Sequence, residues 1–116
     1  MSLEFRPVKE SRAVAPWVRA LKGRSGCYII REKNGFLFFP GEVIYIGESH
    51  SNRLYSTLLR HFQHWTGKTA GPTFPASKVE VAIIRCAANR ARALQDSLIE
   101  EYGPRLNITT NPDAET

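Results

Sequence analysis

Apolar and polar residues along the 116-residue chain follow two different periods. Cys27-Tyr28-Ile29-Ile30 and Val43-Ile44-Tyr45-Ile46 are short apolar runs rich in β-branched and aromatic side chains, which predicts two strands. Residues 78–84 alternate and then run apolar, as a third strand does. Between the first two runs lie an Asn34-Gly35 turn signal, the segment 36–39 and a second turn at Pro40-Gly41. Two strands joined by so modest a loop should pair antiparallel. Residues 52–65 instead repeat at about 100° per residue, with Leu54, Tyr55, Leu58, Leu59, Phe62 and Trp65 on one arc, so a helix is expected. A second long helix is predicted over 89–102, with Asn89 as N-cap and Gly103-Pro104 as its stop. Pro16, Trp17, Val18 and Leu21 predict a short helix ending at Gly23.

The order helix, strand, strand, helix, strand, helix predicts an α+β fold: a small three-stranded antiparallel sheet flanked by helices. Residues 1–24 read as a loose polar lead-in and the short helix, 25–108 as the domain proper, and 109–116 as a polar tail. The linker 66–77, with two Gly and two Pro, reads as loop.

Composition narrows the function classes. With 42% hydrophobic and 23% charged residues the chain matches an ordinary globular domain. No apolar run approaches the roughly 18 residues of a membrane span. Arg6, Lys9, Glu10 and Arg12 interrupt the N-terminus where a signal peptide would be apolar, so a cytoplasmic location is expected. The net charge of +5 favours a polyanionic partner such as nucleic acid. Cys27 and Cys86 have no second Cys or His at metal-ligand spacing, so both read as buried thiols.

Three features carry candidate chemistry. Strand alternation puts Val43, Tyr45 and Gly47 on one face and Ile44 and Ile46 on the other, so Tyr28 and Tyr45 can stand side by side across the hairpin. On the first long helix Arg53, Thr57, Arg60 and His64 share a ridge beside the apolar arc. Such a ridge is either a solvated flank or a phosphate clamp, with His61 and His50 nearby. On the second helix the apolar arc of Ala91, Leu94, Leu98, Ile99 and Tyr102 also contains Gln95. A buried polar side chain is costly without partners, so Gln95 is either satisfied locally or lines a polar pocket.

Taken together these elements resemble the GIY-YIG nuclease family. Gly26-Cys27-Tyr28 is similar to its first element and Tyr45-Ile46-Gly47 to its second. The run from Leu98 through Gly103-Pro104-Arg105-Leu106-Asn107 is similar to its closing helix and following turn. The resemblance spans residues 25–108. It implies a small stand-alone domain acting as a metal-dependent DNA endonuclease, a hydrolase of phosphodiester bonds using Mg²⁺ or Mn²⁺. By position it implies Tyr28 and Tyr45 as active-site tyrosines, Arg60 as the phosphate-stabilising arginine and His64 as the assisting histidine. Arg53, Arg60 and His61 are the expected nucleic-acid contacts, and Gly47 and Asn107 the structural supports.

The chain also departs from the family. The loop between the two tyrosine elements is long, Arg53 competes with Arg60 for the arginine role, and Glu48 stands where some members have lysine. Counting back from Pro104, Gln95 occupies the place of the metal-binding glutamate. A neutral amide keeps the shape but loses the charge that a hard cation prefers, so the chain is expected to bind DNA better than it cuts it. The rival expectations are a nucleic-acid-binding module that has lost catalysis and a basic interaction domain with no nucleic-acid role.

Overall fold

A computed structural model describes residues 3–33, 41–62 and 72–109. The turns expected at 34–40, together with His64, Trp65 and the tail 110–116, lie outside the described residues. The elements in chain order are β1 (Lys9–Glu10), β2 (Ala13–Val14), α1 (Pro16–Arg19), β3 (Gly26–Glu32), β4 (Val43–Ser49), α2 (Leu54–Leu59), β5 (Val79–Arg85), α3 (Ala88–Tyr102) and α4 (Arg105–Thr109). A 3₁₀ turn, Arg60–Phe62, follows α2, and another, Ala76–Lys78, leads into β5.

The central sheet has the order β4-β3-β5 and is antiparallel throughout, as the alternating runs predict. Tyr28 pairs with Gly47 and with Ile83, and Cys27 with Glu48 and Ile84. Residues opposite one another share a face, so this register sorts the two sides. One side carries Tyr28, Ile30, Tyr45 and Val81 under α1 and α2. The other carries Cys27, Ile29, Ile46 and Ala82 under α3, whose Leu94, Leu98 and Ile99 complete an aliphatic layer.

Several expectations change here. The pairing slips between Ile30 and Arg31, with Arg31 opposite Val43. Ile44 is therefore the extra residue of a β-bulge. It joins the Tyr28 side, while Val43 packs with Ile29 and Ile46, the reverse of simple alternation. The lead-in is not loose. β1 and β2 form a hairpin, Val8 is fully buried, and Arg6 bridges Val81 through two 2.9 Å backbone hydrogen bonds. Those bonds occupy part of the outer edge of β5, which would otherwise present unpaired peptide groups.

The first long helix is shorter than its apolar arc. It stays α-helical only through Leu59 and then tightens at Arg60–Phe62. In α3 the N-cap is Ala87, with no side-chain cap, and Asn89 lies inside the first turn. The expected stop does hold. Gly103 takes a left-handed φ of 54° that suits glycine, and its N–H donates to Ile99 O at 2.8 Å. Beyond the buried Pro104, where a turn is expected, the chain forms α4.

Candidate functional site

Tyr28, the third residue of β3, lays its ring in the space above Gly47 on the neighbouring strand. A Cβ at Gly47 would lie 2.2 Å from the Tyr28 Cζ, a distance no side chain tolerates. Glycine at this position is thus a packing requirement of the tyrosine opposite it. Tyr45, two residues along β4 on the same side, places its ring 6.3 Å from that of Tyr28. The two tyrosines do share a face. They do not line one surface pocket together, however: Tyr28 is 2% exposed, while Tyr45 is half-buried.

His61 lies between the two rings, 5.3 Å from Tyr28 and 5.0 Å from Tyr45. The turn Arg60–Phe62 delivers it, and the segment leading to β5 fixes it from both sides. Phe74 N–H donates to His61 O at 2.7 Å, and His61 Nδ1 lies 2.7 Å from Pro72 O. A carbonyl oxygen can only accept, so Nδ1 carries the hydrogen. In the neutral imidazole Nε2 is then an acceptor, and the Tyr28 hydroxyl, 2.7 Å away, donates to it. A single directed chain results, Tyr28 O–H to Nε2 and Nδ1–H to Pro72 O.

Electrostatics favour those protonation states. Burial pushes the His61 pKa down; the Pro72 hydrogen bond opposes that shift, and the Arg60 charge adds to it. Burial raises the Tyr28 phenol well above its usual range. Tyr45 and Glu48 add to the shift, and Arg60 pulls against it. Burial also raises Tyr45. The site therefore holds neutral phenols and a neutral imidazole next to one guanidinium.

The remaining candidates separate. Arg60 is half-buried and acts electrostatically on both Tyr28 and His61. Arg53 is exposed at the start of α2, where its backbone N–H donates to Ser49 Oγ at 3.0 Å. His50 meets the buried Glu48 carboxylate at 3.1 Å. Asn107 uses its whole amide on one residue of β4: Ile46 N–H donates to Oδ1 at 2.7 Å, and Nδ2 donates to Ile46 O at 2.8 Å. The peptide between Tyr45 and Gly47 is thereby clasped from the open edge of the sheet.

Gln95 is half-buried on α3, the helix that packs on the aliphatic side, and makes no side-chain hydrogen bond among the described residues. Tyr102 is 41% exposed, so the packed arc ends at Ile99 and Gln95 lies at its border. Among the described residues no three His, Cys, Asp or Glu side chains converge to hold a metal. Gln95 offers a neutral oxygen, and the neighbouring Asp96 is exposed. This donor set does not fit a hard divalent cation, which prefers clustered carboxylate oxygens.

From the sequence, His61 is expected only as a nucleic-acid contact, and the assisting-histidine role falls to His64, which lies outside the described residues. A signal for His61 was present. It follows the fully buried Leu58 by three residues and Leu54 by seven, which continues the inward line of the helix. Phe74 and Pro72 left no comparable trace, because nothing in a Pro- and Gly-containing linker says which carbonyl will meet a ring nitrogen. Cys27 is buried as expected and donates weakly to Ala91 O at 3.3 Å, whereas Cys86 lies just past β5 and is only half-buried. No helix among the described residues is long and apolar enough to cross a membrane. No protein-family model and no curated protein matches the chain.

Proposed function

We propose that this chain is a DNA-handling domain of the GIY-YIG nuclease type, a phosphodiesterase scaffold that holds its substrate but cuts slowly with glutamine at position 95. The observation that carries the reading is the directed Tyr28–His61–Pro72 chain, with Tyr45 alongside and Arg60 adjacent. A neutral imidazole that already accepts a hydrogen bond from the Tyr28 hydroxyl is a base in place. Tyr28 is too buried to meet a phosphate directly, so it and His61 position Tyr45, the more exposed phenol, for contact with the attacking water. Arg60 supplies positive charge where a phosphodiester gains negative charge. Asn107 fixes the peptide that carries Tyr45.

The test is Gln95→Glu. The side chain keeps its size, so folding should be nearly unchanged. The carboxylate should make cleavage of single- or double-stranded DNA depend on Mg²⁺ or Mn²⁺ and be abolished by EDTA. The chain as written should be slower by on the order of a hundredfold or more. Equal rates for the two proteins would refute a metal-ligand role at position 95. If neither protein cuts while both bind DNA, the reading becomes a binding module without catalysis.

A further inference from the structure

Four arginines gather at the end of the sheet where β3 begins and where β4 and β5 finish. Gly26 pairs with both Ser49 and Arg85. Arg24 O accepts Leu54 N–H at 3.0 Å, so the segment before β3 lies against the start of α2 and Arg53. Ser25 O accepts Cys86 N–H at 3.2 Å, and Ser25 Oγ donates to Asn52 Oδ1 at 2.9 Å. The first turn of α3, with Arg90, reaches the same end, as the Cys27 bond to Ala91 O requires. Arg24, Arg53, Arg85 and Arg90 are all exposed. None of the four has an acidic partner among the described residues. Of the nearby acids, Glu48 is buried and already meets His50, and Glu4, which lines a cleft with Arg85, is paired with Arg6.

At the opposite end the arginines are neutralised. Arg31 is paired with Glu80 at 2.6 Å, and Arg105 spans Glu32 and Glu42 at 3.1 Å each. Polarity of this kind is directional. An unpaired guanidinium cluster favours a partner that supplies several anionic groups in a row.

We propose that the Arg24–Arg53–Arg85–Arg90 end docks the phosphate backbone of the nucleic acid on one side of the Tyr28 site. Strands about 4.8 Å apart put Arg85 and Ser49 roughly 10 Å from one another across β3. One B-form strand rises about 3.4 Å per phosphate, so that width meets about three phosphates. Tyr28 lies only two residues, about 7 Å, inside this end. A strand crossing the arginines therefore continues onto Arg60 without leaving the protein surface. The inference rests on the DNA-handling reading, but it assigns the footprint to residues outside the tyrosine site.

Fluorescence anisotropy with a short labelled single strand and its duplex, titrated across a range of salt, tests the assignment. The variant is Arg24→Ala/Arg85→Ala/Arg90→Ala, with Lys33→Ala at the far end as control and circular dichroism to confirm folding. On duplex DNA the salt slope of the triple variant should fall by about 0.9 per lost phosphate contact, and the Lys33→Ala slope should stay unchanged. A wild-type slope in a folded triple variant would overturn the footprint and leave the DNA-handling reading standing. An equal fall in Lys33→Ala would overturn it in favour of diffuse attraction. Failure of the wild-type protein to bind either DNA form, or binding only to phosphatidylserine vesicles, would overturn both readings.

Discussion

The two faces of the sheet are held by different kinds of force. On the α3 side, apart from the weak Cys27 bond to Ala91 O, Cys27, Ile29, Ile46 and Ala82 meet Leu94, Leu98 and Ile99 through volume and burial. On the α2 side, the tyrosines add directed bonds and a steric lock: Tyr28 over Gly47, Tyr28 to His61, His61 to Pro72. Hydrophobic contact has no preferred direction, so the first face should tolerate any change that conserves volume. The second fixes orientation and should lose function before it loses fold.

Ile29→Ala should give the largest loss of stability and so set the scale for that contrast. Ile29 is fully buried, and its truncation leaves a cavity costing about 2–5 kcal/mol. Urea denaturation should report the loss, while DNA affinity per folded molecule stays near wild type. An equal loss of affinity would mean that the faces are not separable. Gly47→Ala should come next, at about 1–3 kcal/mol, because the new methyl forces the Tyr28 ring away. Its functional effect should exceed that of Ile29→Ala even though its stability effect is smaller. Cleavage measured in the Gln95→Glu background would show the opposite ranking if the tyrosine face were only core.

How far these faces were legible in the sequence follows from what period and residue type encode. Alternation identified all three central strands and put Tyr28 and Tyr45 together, because a strand's facing is a strict function of parity. Parity fails at a bulge, so Val43 and Ile44 were assigned in reverse. Gly103 declared the end of α3, since few residues take that φ cheaply. The helical arc over 52–65 assumed constant pitch and missed the tightening at Arg60. Long-range pairings such as His61 with Pro72, or Asn107 with Ile46, have no local signature at all.

Removing the hydroxyl alone is a finer probe. Tyr28→Phe keeps the ring over Gly47 and deletes one buried hydrogen bond, so it should cost about 0.5–1.5 kcal/mol. A larger stability change would show that the phenol also bonds elsewhere. The smallest expected effect is a pH dependence. His61 has its folded-state pKa lowered from 6.5, mainly by burial. Above that pH both folded and unfolded chains carry it neutral, and it contributes no slope. As the pH falls through 6.5 the unfolded chain takes up a proton that the folded chain resists, so stability declines. The decline ends once the folded state also titrates. Comparing urea midpoints of wild type and His61→Gln through this range isolates the effect, and parallel profiles would mean that His61 is not held neutral.

The clasp of Asn107 on Ile46 bears on how the protein behaves among its own copies. β4 is an edge strand, and edge strands invite pairing with another chain. The carboxamide of Asn107 presents the donor and acceptor that a neighbouring strand would offer, and it fills the register at the middle of β4. Proteolytic removal of the segment after Pro104, or Asn107→Leu, would reopen that register. The consequence to watch for is self-association through β4, appearing as concentration-dependent aggregation in a chain that is otherwise still folded.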